Sequence, residues 1–357
     1  MKIREIDGGG KMSFLYEFEL GKAAEVLANE LLKLKQDETV IITADTQSDL
    51  RVVQATARAV YAAGAKPMVI LSPTPPGVSL AADPALPVAA LTGAVKETDV
   101  WIDFSKMWLL FTTPYNVAAK ENKKLRYMNL TGLDAGGMVN CIGKVDYPNM
   151  KIFLESVASL VGNTKHFHLL SQSGTDLEFD NATYPISCDL GYGDHPGTHM
   201  MAGMIAWTPD LPTVNGTIVI DASIAPNIGL VTTPVRLEIE KGFIKNFSGG
   251  REAAAYEAWM KSYEHPQMFC FAHAGLGFNA GAQLVGNITQ DQRSWGCFAW
   301  GFGSIGPNLM PPDGIYGPSH TDAVTLNGTV YFDDELLLEN GQFVKGELKE
   351  MADRLLK

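Results

Sequence analysis

The chain has 357 residues, 46% of them hydrophobic and 19% charged, and a formal net charge of −12. That length points to two domains of ordinary size, and the apolar content leaves no long disordered stretch. The negative charge argues against a nucleic-acid or anionic membrane surface as partner, because both are themselves negative.

The opening Met1 to Asp7 lacks the basic, apolar, small-residue order of a signal peptide, and no apolar run reaches the length of a membrane span, so a cytoplasmic location is expected. Gly8 to Gly10 are followed by no phosphate-loop pattern, and neither GxGxxG nor a Walker sequence occurs. Cys141, Cys188, Cys270 and Cys297 are widely spaced, which predicts reduced, mostly buried thiols rather than a zinc knuckle or a disulfide framework.

Taken in order, Leu20 to Leu34 has apolar residues at helical spacing, and Glu38 to Ala44 is a short β-branched run. Helical periodicity returns from Leu50 to Ala63 and is closed by Gly64, after which Pro67 to Leu71 is again strand-like. This β-α-β unit implies a parallel sheet. Asp99 to Phe104 and Leu125 to Leu130 predict further strands, with helices over Tyr115 to Asn122 and Asn149 to Val161. The first half therefore reads as an open, mostly parallel α/β sheet covered on both faces. Ligand groups in such sheets lie at the carboxyl ends of strands, where Asp45, Ser105, Lys106 and Trp108 fall, either as pocket residues or as caps and core packing.

From about residue 165 the grammar changes. Lys165 to Leu170, Thr175 to Phe179, Gly216 to Ile220, Val235 to Ile239 and Phe243 to Phe247 alternate and are divided by Gly, Asn and Pro, which is antiparallel meander grammar. A helix is predicted over Glu252 to Tyr263. We read residues 1–164 as an N-terminal α/β domain and 165–357 as a C-terminal α+β domain with largely antiparallel sheet.

Polar clusters concentrate in the second half. His320 and Asp322 stand two residues apart in a strand-like run, so both side chains point to one face, roughly 7 Å apart along the strand. His273 lies among glycines at 275 and 277, which leave room around an imidazole. It is either a core histidine or, with His320 and Asp322, the third member of a two-histidine, one-carboxylate set with open metal positions, the ligand pattern of non-haem Fe(II) oxygen chemistry. His166 and His168 are read as structural, and His265 as a helix C-terminal cap or surface residue. Glu178, His195 and His199 are titratable groups suited to moving protons beside a metal. Pro196 and Gly197 argue for a loop between the last two.

The ordered set Gly174 to Leu177, Gly203 to Pro209, Gly216 to Asp221, His273 to Asn279, Gly296 to Gly301 and His320 to Asp322 resembles the aminopeptidase T-type metallopeptidase family. Members of that family hold two metals with two glutamates, a histidine, a tyrosine and a terminal His-x-Asp pair. Here Met204 and His273 stand where the resemblance puts the glutamates and Cys297 where it puts the middle histidine, so a two-metal peptidase is not expected. The same changes resemble the ring-cleaving branch of the fold, the 2,5-dihydroxypyridine 5,6-dioxygenases. That resemblance implies one Fe(II) on His273, His320 and Asp322, with Glu178 and one or both of His195 and His199 in the substrate pocket. A hydroxylated ring and O2 are then the expected partners, in a homo-oligomer. Trp108, Trp300 and Phe302 are candidate walls for a flat substrate or core aromatics. Arg293 is a candidate for a substrate carboxylate or an ion pair. The competing expectation is a metal-dependent amide hydrolase with zinc on the same three ligands.

Overall fold

A computed structural model describes residues 13–357, so Met1 to Asp7 and Gly8 to Gly10 lie outside the described residues. The first half builds a parallel sheet in the order Lys66–Ser72, Thr39–Asp45, Val100–Asp103, Arg126–Asn129. Helix Leu50–Ala62 makes the crossover between the first two strands in the sequence, and its start is capped by Asp49, whose side chain accepts from the Arg51 amide. Gly64 follows with a φ of +84°, the left-handed conformation that the helix exit requires. The amphipathic segment near the N-terminus runs as helix Ser13–Glu25 into a π-helical turn, Val26–Leu31.

The sheet has a fifth strand. Gly197–Met200 pairs in parallel with Arg126–Asn129, so a segment from beyond residue 165 completes the N-terminal sheet. Pro196 and Gly197 mark its entrance, and the stretch that reads as loop in the sequence is extended because a neighbouring strand supplies its hydrogen-bond partners.

The second half forms two antiparallel sheets among the described residues, one of eight strands and one of seven. Their facing sides share a core that includes Phe167, Phe179, Trp207, Phe271, Trp300 and Phe302. Alternation, interrupted by a bulge between Phe271 and His273 that turns His273 to the other face, decides what the seven-stranded sheet offers to that core. In the seven-stranded sheet, Ile205, Trp207, Leu276, Phe298, Trp300 and Phe302 point inward. The residues between them, Met204, Ala206, Gly275, Ala299 and Gly301, lie on the opposite face. Helix Tyr147–Asn163 packs onto the same core through Phe153, Leu154 and Val157. No described helix is long and apolar enough to cross a membrane.

Candidate functional site

Three neighbouring strands bring the candidate ligands together. His273 on Phe271–Gly277 pairs with Gly301 on Phe298–Ile305, and Gly301 pairs in turn with Asp322 on Ile315–Thr325. His320 stands two residues earlier on that last strand, opposite Gly303. An Asp322 carboxylate oxygen lies 3.2 Å from His273 Nε2 and 3.4 Å from His320 Nε2. The two imidazoles lie nearly parallel, with centroids 5.4 Å apart. One ligand atom from each residue falls within 4.8 Å of the others.

The surroundings fit a cation. His320 Nδ1 lies 2.8 Å from the Ser304 carbonyl, and donation to that oxygen fixes the tautomer that leaves Nε2 with a free lone pair. Burial acts to raise the Asp322 carboxyl, but the two imidazoles more than offset it and hold it well below the usual carboxylate range. Gly301 is required sterically: a Cβ there would sit on the His273 ring. Two imidazoles and an ionised carboxylate on one face, with no fourth protein ligand among the described residues, form a donor set that leaves metal positions open.

These ligands line a cavity of about 330 Å³, a volume suited to a small ring. Met204, Ala206 and Ala299 make an apolar patch on the same sheet face, with the Met204 methyl close above Gly275. Thr198 and Met200 from the parallel sheet's fifth strand form another wall. A further wall is the segment Ser105 to Phe111, which two buried carboxylates pin in place. Asp45 accepts from the Lys106 and Met107 amides, and Asp103 accepts from those of Ser105 and Leu109. Trp108, on that segment, faces the cavity.

The other candidates fall elsewhere. Glu178 lies on the solvent face of the eight-stranded sheet beside His168, because its neighbours Leu177 and Phe179 occupy the core. His195 is exposed and lies 3.1 Å from Asp194, while His199 points away from the cavity between the two lining residues Thr198 and Met200. Trp300 and Phe302 flank Gly301 and so face the core between the antiparallel sheets, where Trp300 Nε1 donates to Thr325 Oγ1. Neither lines the cavity. Arg293 does line it and is held in the wall, donating to the Met201 and Thr289 carbonyls and pairing with Asp189 at 2.7 Å. Cys297 is buried with Ala222 and Val324, its thiol pushed up to about 12 by burial, and Gly301 rather than Cys297 adjoins His273. His265 accepts from the Gln267 amide at the start of the turn Pro266–Phe269, so it caps an entrance rather than a helix exit. All four cysteines are free.

Two cavity residues carry no sequence signal. Asp189 is held by Arg293 through Oδ2, and burial raises its carboxyl above the ordinary range despite that guanidinium. Gln292 lines the same wall with its Oε1 buried and without a partner among the described residues.

Comparison with known proteins agrees with this architecture. A curated 2,5-dihydroxypyridine 5,6-dioxygenase from Pseudomonas putida is 30% identical over 199 residues, a stretch covering 53% of this chain and 57% of that relative's length. The solved structure of 2,5-dihydroxypyridine dioxygenase from Pseudomonas putida matches with a TM-score of 0.75 at 22% identity, over 93% of this chain and 99% of that one. Wild-type AmpT from Thermus thermophilus matches with a TM-score of 0.68 at 16% identity, over 92% and 100% respectively, and shows the same fold. The family model for 2,5-dihydroxypyridine 5,6-dioxygenase matches residues 24–345, and the chain belongs to that family.

Proposed function

We propose that the protein is a non-haem Fe(II) dioxygenase that opens a hydroxylated N-heteroaromatic ring such as 2,5-dihydroxypyridine. The observation that carries this reading is the convergence of His273, His320 and Asp322 on the floor of a ring-sized, largely apolar cavity. Iron held by these three would supply the electronic link that lets O2 react with a closed-shell ring. The chain's own residues do the rest. Ser304 orients His320, Gly301 gives the His273 ring its place, and Trp108 and Met204 exclude water from the reacting face. Asp189 is suited to take and return the proton of a ring hydroxyl at Oδ1, the oxygen not committed to Arg293, because its raised carboxyl brings the acid and base forms nearer to working pH. Glu178, His195 and His199 have no such position in this chain, so we assign the proton work to Asp189.

We take residues 1–164 and 165–357 as the two units of a homo-oligomeric enzyme, the second lending Gly197–Met200 to the first. The amide-hydrolase reading loses support because apolar Met204, Ala206 and Ala299 lie where a second metal would need carboxylates. The test is metal analysis of anaerobically purified protein together with oxygen uptake on 2,5-dihydroxypyridine. About one iron per chain and ring-dependent uptake are expected, both lost in His273→Ala. Release of amino acid from aminoacyl anilides without oxygen uptake would refute the reading.

A further inference from the structure

Among the described residues each sheet ends on two edge strands, and most of these are blunted in the ways open to a sheet edge. Gln342–Phe343 and Gly229–Leu230 are two residues long, Ser187–Asp189 three and Gly197–Met200 four. Phe243–Ser248 is longer but carries Lys245 and Asn246. Lys66–Ser72 is the exception. It is seven residues long, and Met68, Val69 and Leu71 are 47%, 46% and 53% exposed, so apolar side chains reach solvent from both faces of the sheet. No charged residue stands between Pro67 and Leu71.

The backbone of that edge is open as well. The Lys66 N–H donates to the Glu38 carbonyl and the Ser72 carbonyl accepts from the Thr46 N–H, so both end residues turn their backbone groups into the sheet. Residues along a strand turn theirs alternately to one side and the other. The N–H and C=O groups of Val69 and Leu71, and the Pro67 carbonyl, therefore point outward, where no strand pairs with them among the described residues.

The segment is also self-complementary. Turned about a two-fold axis at Val69 and run antiparallel, it sets Val69 against Val69, Met68 against Ile70 and Leu71 against Pro67 of a second copy, an apolar pair at every position. Each Val69 exchanges both backbone bonds with its counterpart, and each Leu71 N–H meets the Pro67 carbonyl opposite; proline forfeits only the return bond. Charge does not oppose the seam despite the net −12 of the chain. Lys66 is paired with Asp37 at 2.9 Å, and the two Lys66 residues would stand at opposite ends, roughly 20 Å apart along the strands.

We propose that Lys66–Ser72 is a dimerisation edge, on which a second copy of this chain pairs antiparallel and joins two parallel sheets into one. This rests on the homo-oligomeric reading of the enzyme and gives the oligomer a place in the fold.

The test is the mass of the full chain by light scattering, for the wild type and for Val69→Pro and Val69→Lys, with circular dichroism as the check on folding. An even number of chains is expected for the wild type and half that mass for either variant. Val69→Pro removes an outward N–H and no bond within the chain, a change that edge strands tolerate. Val69→Lys sets a charge against its own copy. As a second measurement, mild oxidation of Val69→Cys is expected to give a disulfide-linked dimer, because a hydrogen-bonded antiparallel pair holds its Cα atoms about 5.5 Å apart. Lys66→Cys is expected to give none. A wild type that is a single chain overturns the proposal and the homo-oligomeric reading together, and slow amide exchange at its Val69 and Leu71 would put another part of the same chain, such as residues 1–12, on the edge. An oligomer whose mass both Val69 variants leave unchanged, or whose Val69→Cys form cross-links no better than Lys66→Cys, overturns this edge alone and leaves the oligomer standing.

Discussion

At the scale of single residues, the site depends as much on what is missing as on what is present. Gly301 is the sharpest case, because its absent Cβ is where the His273 ring sits. Gly301→Ala is expected to cost most of the metal, read as iron per chain, while circular dichroism stays that of the wild type. A retained metal stoichiometry would show that His273 can bind from another position. Asp189 makes a kinetic prediction. If its carboxylate accepts the ring proton, kcat/KM falls as the pH drops through its pKa, and burial places that limb above the ordinary carboxylate range. Asp189→Asn is expected to lower kcat by about a hundredfold or more and to abolish the limb, with metal content unchanged. Sequence alone exposes His320 and Asp322, because alternation puts residues two apart on one face of any strand. It does not expose Asp189 or Gln292. Each is a lone polar residue: the meaning of Asp189 comes from Arg293 far along the chain, and that of Gln292 from a buried oxygen left without a partner among the described residues.

At the scale of elements, the same distinction between local and distant causes separates what is legible from what is not. The strand Thr39–Asp45 and the helix Leu50–Ala62 follow from β-branching and helical period, and both stand within a residue or so of their expected bounds. The fifth strand of the parallel sheet is different: nothing in Gly197 to Met200 announces it, and its partner lies some seventy residues upstream. Alternation also explains why Trp300 and Phe302 belong to the core. Once Gly301 faces the ligands, its two neighbours must face the other way. The wall segment Ser105 to Phe111 shows the same logic in a loop, where two carboxylates replace the hydrogen bonds that a sheet would give. Asp45→Ala would leave the Lys106, Met107 and Gln47 amides without their acceptor and is expected to destabilise the protein by about 2 kcal/mol or more. Because Trp108 rides on that segment, KM for the ring is expected to rise in steady-state assays more than kcat falls. A change in kcat alone would mean that the segment has no part in binding.

At the scale of the whole molecule, a metal held by the three residues would couple to the fold. A cation that binds the assembled triad and not the unfolded chain stabilises by mass action, about 2.7 kcal/mol at a hundredfold excess over its dissociation constant. Chelation is therefore expected to lower the thermal midpoint by several degrees, and His273→Ala to remove that difference. An unchanged midpoint on chelation of the wild type would mean that the three ligands hold no metal in solution.

The strand Gly197–Met200 carries a consequence of another kind. It seals one edge of the parallel sheet, and through Thr198 and Met200 it also forms part of the cavity wall. Detaching it would unpair Arg126–Asn129 along that edge and open the cavity in the same event. Local unfolding of this strand and loss of the binding site are then one equilibrium, and amide exchange at Thr198 and His199 should slow in step with ligand occupancy. A few residues from the far half of the chain thus tie the edge of the parallel sheet to the wall of the cavity.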